Sequence, residues 1–385
     1  MAYKARIYGL DLMRAIAITM VVFSHSLYIF QGYNNVIISA VQVIGVQGVE
    51  VFFVLSGFLI GGMLFRLIKT TQFSRKELFH FWVRRWFRTL PLYFLMLLIN
   101  IVVALLLGYE LPQTLWRYFF FLQNFSAYHV PFFPESWSLS VEEFAYLLGP
   151  FCLFTFYKIA NRYIIKKEKI FLLVSMLLVF VFLISKFIYY WSFLDEVQSL
   201  RIWNSNLKAI VIYRLDAIFY GFILLYYFKQ NKTKIEKLKD KLFIIGIFLW
   251  VMVLVILPLS GITIQTHTFY WNVLYLPFNS IAICLMLPYL CFLRPPRRRF
   301  FKFVKSISVY SYAMYLLHYN FILYLMQIFL DFQKLNLVER IIGLFVYLSL
   351  TYFLSKIVYT YFEKPITNLR DSKRIKNKLK INVNN

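Results

Sequence analysis

The sequence predicts an all-α polytopic membrane protein with about ten transmembrane helices and both termini in the cytoplasm. Three observations carry that expectation. Of the 385 residues, 61% are hydrophobic and 21% aromatic, a richer apolar share than soluble domains hold. Apolar runs long enough to cross a hydrocarbon core recur along the chain, at about 8–30, 45–67, 88–108, 136–158, 169–190, 207–228, 241–260, 270–293, 306–330 and 339–362. Lys and Arg gather in alternate loops: Arg66 to Arg88 after the second run, Lys158 to Lys169 after the fourth, Lys229 to Lys241, Arg294 to Lys305, and the stretch after Lys364. The loops between are nearly bare of them. That alternation is the positive-inside signal. It also explains the net charge of +25 as topology plus attraction to anionic lipid heads, so the lipid bilayer is an expected partner and nucleic acid is not.

The first run, "GLDLMRAIAITMVVFSH", holds Arg14 and His25 inside its apolar sequence. Ionisable side chains at membrane depth are costly and usually face a polar interior where they have work to do. Eleven positions on one helix turn about 1100°, which leaves the two within about 20° of one face and about 16 Å apart along the axis. Arg14 falls nearer the cytoplasm and His25 in the outer half. Such an offset suits a long, thin substrate with a charged head at the inner surface and a reactive end inside the protein, as in the pantetheine arm of coenzyme A. At the start of the third run, Arg84, Arg85 and Arg88 are packed among aromatics, and Arg84 and Arg88 share a face. Guanidinium groups in that arrangement are suited to clamping phosphate, or to anchoring at the membrane surface.

The fourth run enters from "FFPESWSLSVEEFAYLLGP", where Pro131 and Pro134 keep the approach non-helical and Ser138 or Ser140 can cap the helix. Glu142 and Glu143 then lie near the depth of His25. Ser140 to Glu143 also matches a capping box, which offers Glu143 a structural role and leaves Glu142 as the better candidate for chemistry. The sixth run carries Arg214 and Asp216, two positions apart and so facing different neighbours, each suited to an ion pair with another helix. The ninth, "SISVYSYAMYLLHYNF", carries His318 at mid-to-outer depth. Cys152, Cys284 and Cys291 fall inside the runs at unpaired spacings and are read as packing residues, so neither disulfide nor metal site is expected. The N-terminal run is too long for a signal-peptide core and should stay attached. Residues 1–365 read as one transmembrane unit and 366–385 as a basic cytoplasmic tail.

Taken together and in order, "LDLMRAIAITMVVFSH", "GVEVFFVLSGFLIGGML", "FWVRRWFRTLPLYF", "SWSLSVEEFAYLL" and "YSYAMYLLH" resemble the motifs of acyltransferase family 3, membrane proteins that O-acylate sugars. The resemblance covers nearly the whole chain. It implies transfer of an acyl group, most often acetyl, from cytoplasmic acyl-coenzyme A to a hydroxyl of a glycan or glycolipid on the outer side of a bacterial inner membrane. Carried across by motif, His25 is the essential histidine, Arg14 its partner toward the coenzyme, Arg84, Arg85 and Arg88 donor-side contacts, and Glu142 the family's acidic residue. Leu12 stands where the family usually has Gly, and Phe144-Ala145 where Gln-Phe is common. Many relatives acting on peptidoglycan carry a fused extracytoplasmic hydrolase-like domain. This sequence shows none, which favours O-antigen, the lipopolysaccharide side chain, or capsule or exopolysaccharide as acceptor.

A sugar hydroxyl is a poor nucleophile and needs a positioned base, which His25 supplies either directly or by carrying the acyl group. Glu142 or Glu143 is expected to orient it, and Ser56, Tyr315 or a backbone N–H to steady the oxyanion. Asp11, Arg214, Asp216 and His318 complete the supporting set. No permanently bound cofactor is expected. The rival reading is a glycolipid transporter or flippase using His25 and Glu142 as a proton relay, and a third is another membrane O-acyltransferase fold with a buried histidine.

Overall fold

The computed structural model describes residues 6–32, 36–70, 73–127, 132–160, 166–194 and 196–370. Pro131 and the tail from residue 371 on lie outside the described residues. Within them the chain is helical, with no strand. Its long helices are α1 (Tyr8–Ser26), α2 (Val36–Thr70), α3 (Arg75–Leu106), α4 (Ser136–Ala160), α5 (Lys167–Ser192), α6 (Asp216–Gln230), α7 (Lys232–Val251), α8 (Tyr275–Cys291), α9 (Arg298–Leu317) and α10 (Leu337–Val358).

Among the described residues, eight helices are long and apolar enough to cross a membrane. The runs expected at 207–228 and 306–330 are the two that differ. The first is interrupted by a π turn at Asn204–Lys208 and a 3-10 turn at Val211–Tyr213, which leaves α6 only 15 residues long. The second opens on Arg298, Arg299, Lys302 and Lys305 and is then rich in Ser and Tyr, so α9 is long enough but not apolar enough. π turns also carry α9 into His318–Leu323 and α10 into Tyr359–Glu363. Such bulges mark functional stretches more often than ordinary helix does.

The bundle is built inside out. Large apolar side chains point away from it: Leu98 and Val102 on α3, Leu173 and Phe180 on α5, Ile244 and Phe248 on α7, Phe345 and Phe353 on α10. Hydrocarbon is the solvent that suits such a surface. Between helices the contacts are close. α1 packs on α2, α8 and α9, while α2 packs on α6 and α6 on α5. At the α2–α6 seam a methyl group added to Gly57 would overlap the carbonyl oxygen of Ile218, and one added to Gly221 would overlap that of Val54. Without a hydrophobic drive between helices in lipid, small residues that let backbones touch supply the attraction instead.

Charge holds the same region. Arg214, at the foot of α6, pairs with Glu50 of α2, and Asp216 pairs with Lys186 of α5; all four are buried. The expectation that Arg214 and Asp216 turn to different neighbours is met. Glu50 and Lys186 are the partners that inspection of single runs did not pick out, although each is an ionisable residue in an apolar stretch. Removing one member of a buried pair leaves an uncompensated charge, at a cost of about 3–5 kcal/mol. Lys186→Met should therefore lower the midpoint of thermal unfolding in detergent sharply, while the double variant Lys186→Met/Asp216→Leu should recover most of the loss. A double variant no better than the single one would remove the pair from the structure's support.

Candidate active site

α1 carries both Arg14 and His25, as the spacing predicts. His318 opens the π turn at the end of α9. The two imidazoles meet there: His25 Nδ1 lies 2.8 Å from His318 Nε2, with ring centroids 5.0 Å apart and nearly parallel. His318 Nδ1 is 2.8 Å from the carbonyl oxygen of Tyr315. A carbonyl only accepts, so His318 carries its proton on Nδ1 and keeps a lone pair on Nε2. His25 must then donate from Nδ1, which leaves its own Nε2 as the basic nitrogen. The hydrogen-bond network, rather than a visible proton, makes this assignment. Beside the pair, the Tyr319 ring is centred 4.6 Å from His25 and Tyr28 6.3 Å from it.

The expected carboxylate partner is thus replaced by a second histidine. Glu142 accepts from Ser56 Oγ at 3.1 Å and from the Tyr146 hydroxyl at 2.9 Å, and Glu143 accepts from Thr89 Oγ1 at 2.6 Å. Neither bonds to His25 among the described residues. The capping-box reading of Glu143 also falls. α4 begins at Ser136, so Ser138 and Ser140 are already inside the helix; Ser140 Oγ donates to the Ser136 carbonyl and accepts from Gln123. Two candidate oxyanion donors are engaged as well. Ser56 directs its hydrogen to Glu142, and the Tyr315 hydroxyl is bonded to Ser138 Oγ at 2.6 Å and to the Glu135 carbonyl at 3.2 Å.

What Glu142 does line is a cavity of about 110 Å³, together with Ser56, Arg14, Arg85, Arg88 and Tyr315. A second cavity of about 460 Å³ lies beside it, sharing Arg14, Leu59 and Arg88 as walls, and is also lined by Arg6, Asp11, Glu363 and Lys364. The described chain ends therefore share one side of the bundle. Arg85 lies over the Tyr146 ring, 5.2 Å from its centroid, and its Nε is buried without a hydrogen-bond partner. Arg84 lines neither cavity. Asp11 is an anchor. It accepts from Arg6 at 2.8 and 2.6 Å, from Arg14 at 3.3 Å and from Ser308 Oγ at 2.9 Å, tying α1 to α9 below the imidazole pair. Tyr315 lines the inner cavity and its ring is centred 5.8 Å from the His318 ring, while His25 and His318 themselves line neither cavity.

Sequence inspection passed over Glu135, whose Oε1 accepts from the Asn320 N–H at 2.6 Å and so pins the π turn behind His318. It also passed over Glu363. Both are lone acids beside apolar or aromatic runs, the same signal that picked out Arg14.

The family model for the acyltransferase domain matches residues 7–360. Among curated relatives, the O-acetyltransferase OatA of Staphylococcus aureus (strain NCTC 8325 / PS 47) is 26% identical over 385 residues, covering 93% of this chain and 57% of that protein. The peptidoglycan O-acetyltransferase OatA of Listeria monocytogenes is 31% identical over 129 residues, 30% of this chain and 20% of that protein. The putative peptidoglycan O-acetyltransferase YrhL of Bacillus subtilis is 31% identical over 175 residues, 42% of this chain and 25% of that protein. The chain thus spans less than two thirds of the length of each of these relatives. No solved structure matches it. A match that takes in both imidazoles, the arginines and the paired glutamates assigns this multi-helix membrane chain to acyltransferase family 3.

Proposed function

We propose that the chain moves an acetyl group from acetyl-coenzyme A, on the cytoplasmic side, to a hydroxyl of an extracytoplasmic glycan, with His25 as the base. One observation supports this above others: His25 has Nδ1 tied to His318 and Nε2 left with its lone pair, while a cavity lined by Arg14, Arg85 and Arg88 reaches Tyr315, whose ring is centred 5.8 Å from the His318 ring. Arg14 and Arg88 hold the phosphates at the outer cavity, and the thioester arm runs inward past Arg85, Ser56 and Glu142. Tyr315 must swing aside for the thioester to reach the imidazole.

His25 Nε2 then takes the proton from the glycan hydroxyl as its oxygen attacks the thioester carbonyl. The tetrahedral oxyanion collapses, the C–S bond breaks, and the coenzyme thiolate takes the proton back from the imidazolium. His318 is a positioning residue: it fixes the tautomer of His25 and accepts from its Nδ1–H throughout, the task a carboxylate has in serine-hydrolase triads. A transporter's proton relay is less suited to this pair. Any proton passed to His318 meets a backbone carbonyl, which cannot carry it onward. For the acceptor, the names of the Listeria and Bacillus relatives point to peptidoglycan, while the sequence expectation favours O-antigen, capsule or exopolysaccharide. Mass spectrometry of both glycan classes with and without the gene separates them.

His25→Ala should abolish transfer of label from acetyl-coenzyme A while leaving membrane insertion intact; undiminished glycan acetylation would refute the assignment. His318→Ala should lower kcat about a hundredfold with little change in KM for the donor, and His318→Gln, which restores an acceptor, should recover part of it. Equal effects of both on KM would make His318 merely structural. Arg85→Ala should weaken acetyl-coenzyme A binding about tenfold, the worth of one charge-assisted hydrogen bond, read by titration calorimetry; an unchanged affinity would return Arg85 to membrane anchoring.

A further inference from the structure

The outer cavity contains two carboxylates among its cations, and they are not alike. Asp11 is fully engaged by Arg6, Arg14 and Ser308. Glu363 is only 8% exposed, and its Oε2 is buried without a hydrogen-bond partner. It stands at the last position of the π turn Tyr359–Glu363 and lines the cavity beside Lys364. It also lies just past residue 360, where the family match stops.

A buried carboxylate oxygen with no donor is costly to keep. In a cavity whose Arg14, Arg88 and Lys364 attract an anion, it also repels the ligand they attract. Both penalties vanish if the ligand brings a donor of its own. Inorganic phosphates bring acceptors only at their anionic oxygens, whereas a nucleoside brings ribose hydroxyls and an exocyclic amine. A cavity of about 460 Å³ falls in the range that holds a small-molecule ligand of nucleotide size.

We infer that Glu363 recognises the nucleoside of the acyl carrier, accepting a hydrogen bond from its ribose or base, and so makes the outer cavity selective for a nucleotide-bearing thioester over a pantetheine thioester. This rests on the coenzyme A reading above and adds to it a specificity-determining residue. The neighbouring cations hold phosphate of any kind; Glu363 distinguishes what the phosphate is attached to.

The test uses the full chain in detergent, with adenosine 3′,5′-bisphosphate and inorganic diphosphate as competing probes against acetyl-coenzyme A. In Glu363→Met the inhibition constant of the nucleotide should rise about tenfold, and in Glu363→Gln by less, because the amide oxygen still accepts. The diphosphate constant should stay level or fall in both, since a negative charge has gone. The ratio of kcat/KM for acetyl-coenzyme A over acetyl-pantetheine should drop by the same factor as the nucleotide constant rises. If both probes bind more tightly in the variants, Glu363 only balances charge and the inference is overturned. If both bind equally worse, Glu363 is structural, which overturns it as well. Wild-type protein that uses neither thioester and binds diphosphate but not the nucleotide would sink the coenzyme reading itself, and this inference with it.

Discussion

The hydrogen bond between His25 and His318 sets the terms for the rest of the molecule. An imidazole has two nitrogens and, when neutral, one proton; fixing where that proton sits fixes which nitrogen can act as a base. Here a backbone carbonyl starts the chain of consequences. Tyr315's oxygen takes the His318 proton, His318 takes that of His25, and the free lone pair falls on His25 Nε2. For the rings to meet, α1 and α9 must be held against each other. Asp11 does this at one end by gripping Ser308, while Glu135, just ahead of α4, fixes the π turn at the other end of α9 by gripping the N–H of Asn320.

Buried charge elsewhere divides into closed and open groups. Arg214 with Glu50 and Lys186 with Asp216 are closed. They bind α2, α5 and α6 together and line neither cavity. Arg85 and Glu363 are open: neither stands in an ion pair among the described residues, and each lines a cavity. The distinction is useful because both kinds look the same in sequence, as a charge in an apolar neighbourhood. Only the packing tells which charges neutralise one another and which face a cavity.

Much of the fold is legible from hydropathy. The fourth run, expected at about 136–158, is Ser136–Ala160, and the fifth, expected at about 169–190, is Lys167–Ser192. Hydropathy loses the polar ends. α3 begins at Arg75, well ahead of its apolar part, because Ser74 and Glu77 form a capping box outside the hydrocarbon. Within the site, Arg14 and His25 are legible because one helix relates them by simple periodicity. The His25–His318 bond is not, since it joins residues 293 positions apart through the packing of two helices and the displacement introduced by a π turn. Glu143 shows the opposite failure: a local motif fits a cap, yet the helix starts five residues earlier than that cap requires, and Thr89 from another helix takes the carboxylate instead.

The glycine seam between α2 and α6 bears on how a bundle this tight can admit cargo. With Gly57 against Ile218 and Gly221 against Val54, two backbones are in contact with no side chain between them to re-rotamerise. Backbone in van der Waals contact slides poorly, and the ion pairs to Glu50 and Lys186 lock the same joint. α2, α5 and α6 therefore move, if at all, as one wall, and any rearrangement of the bundle falls to helices outside that joint.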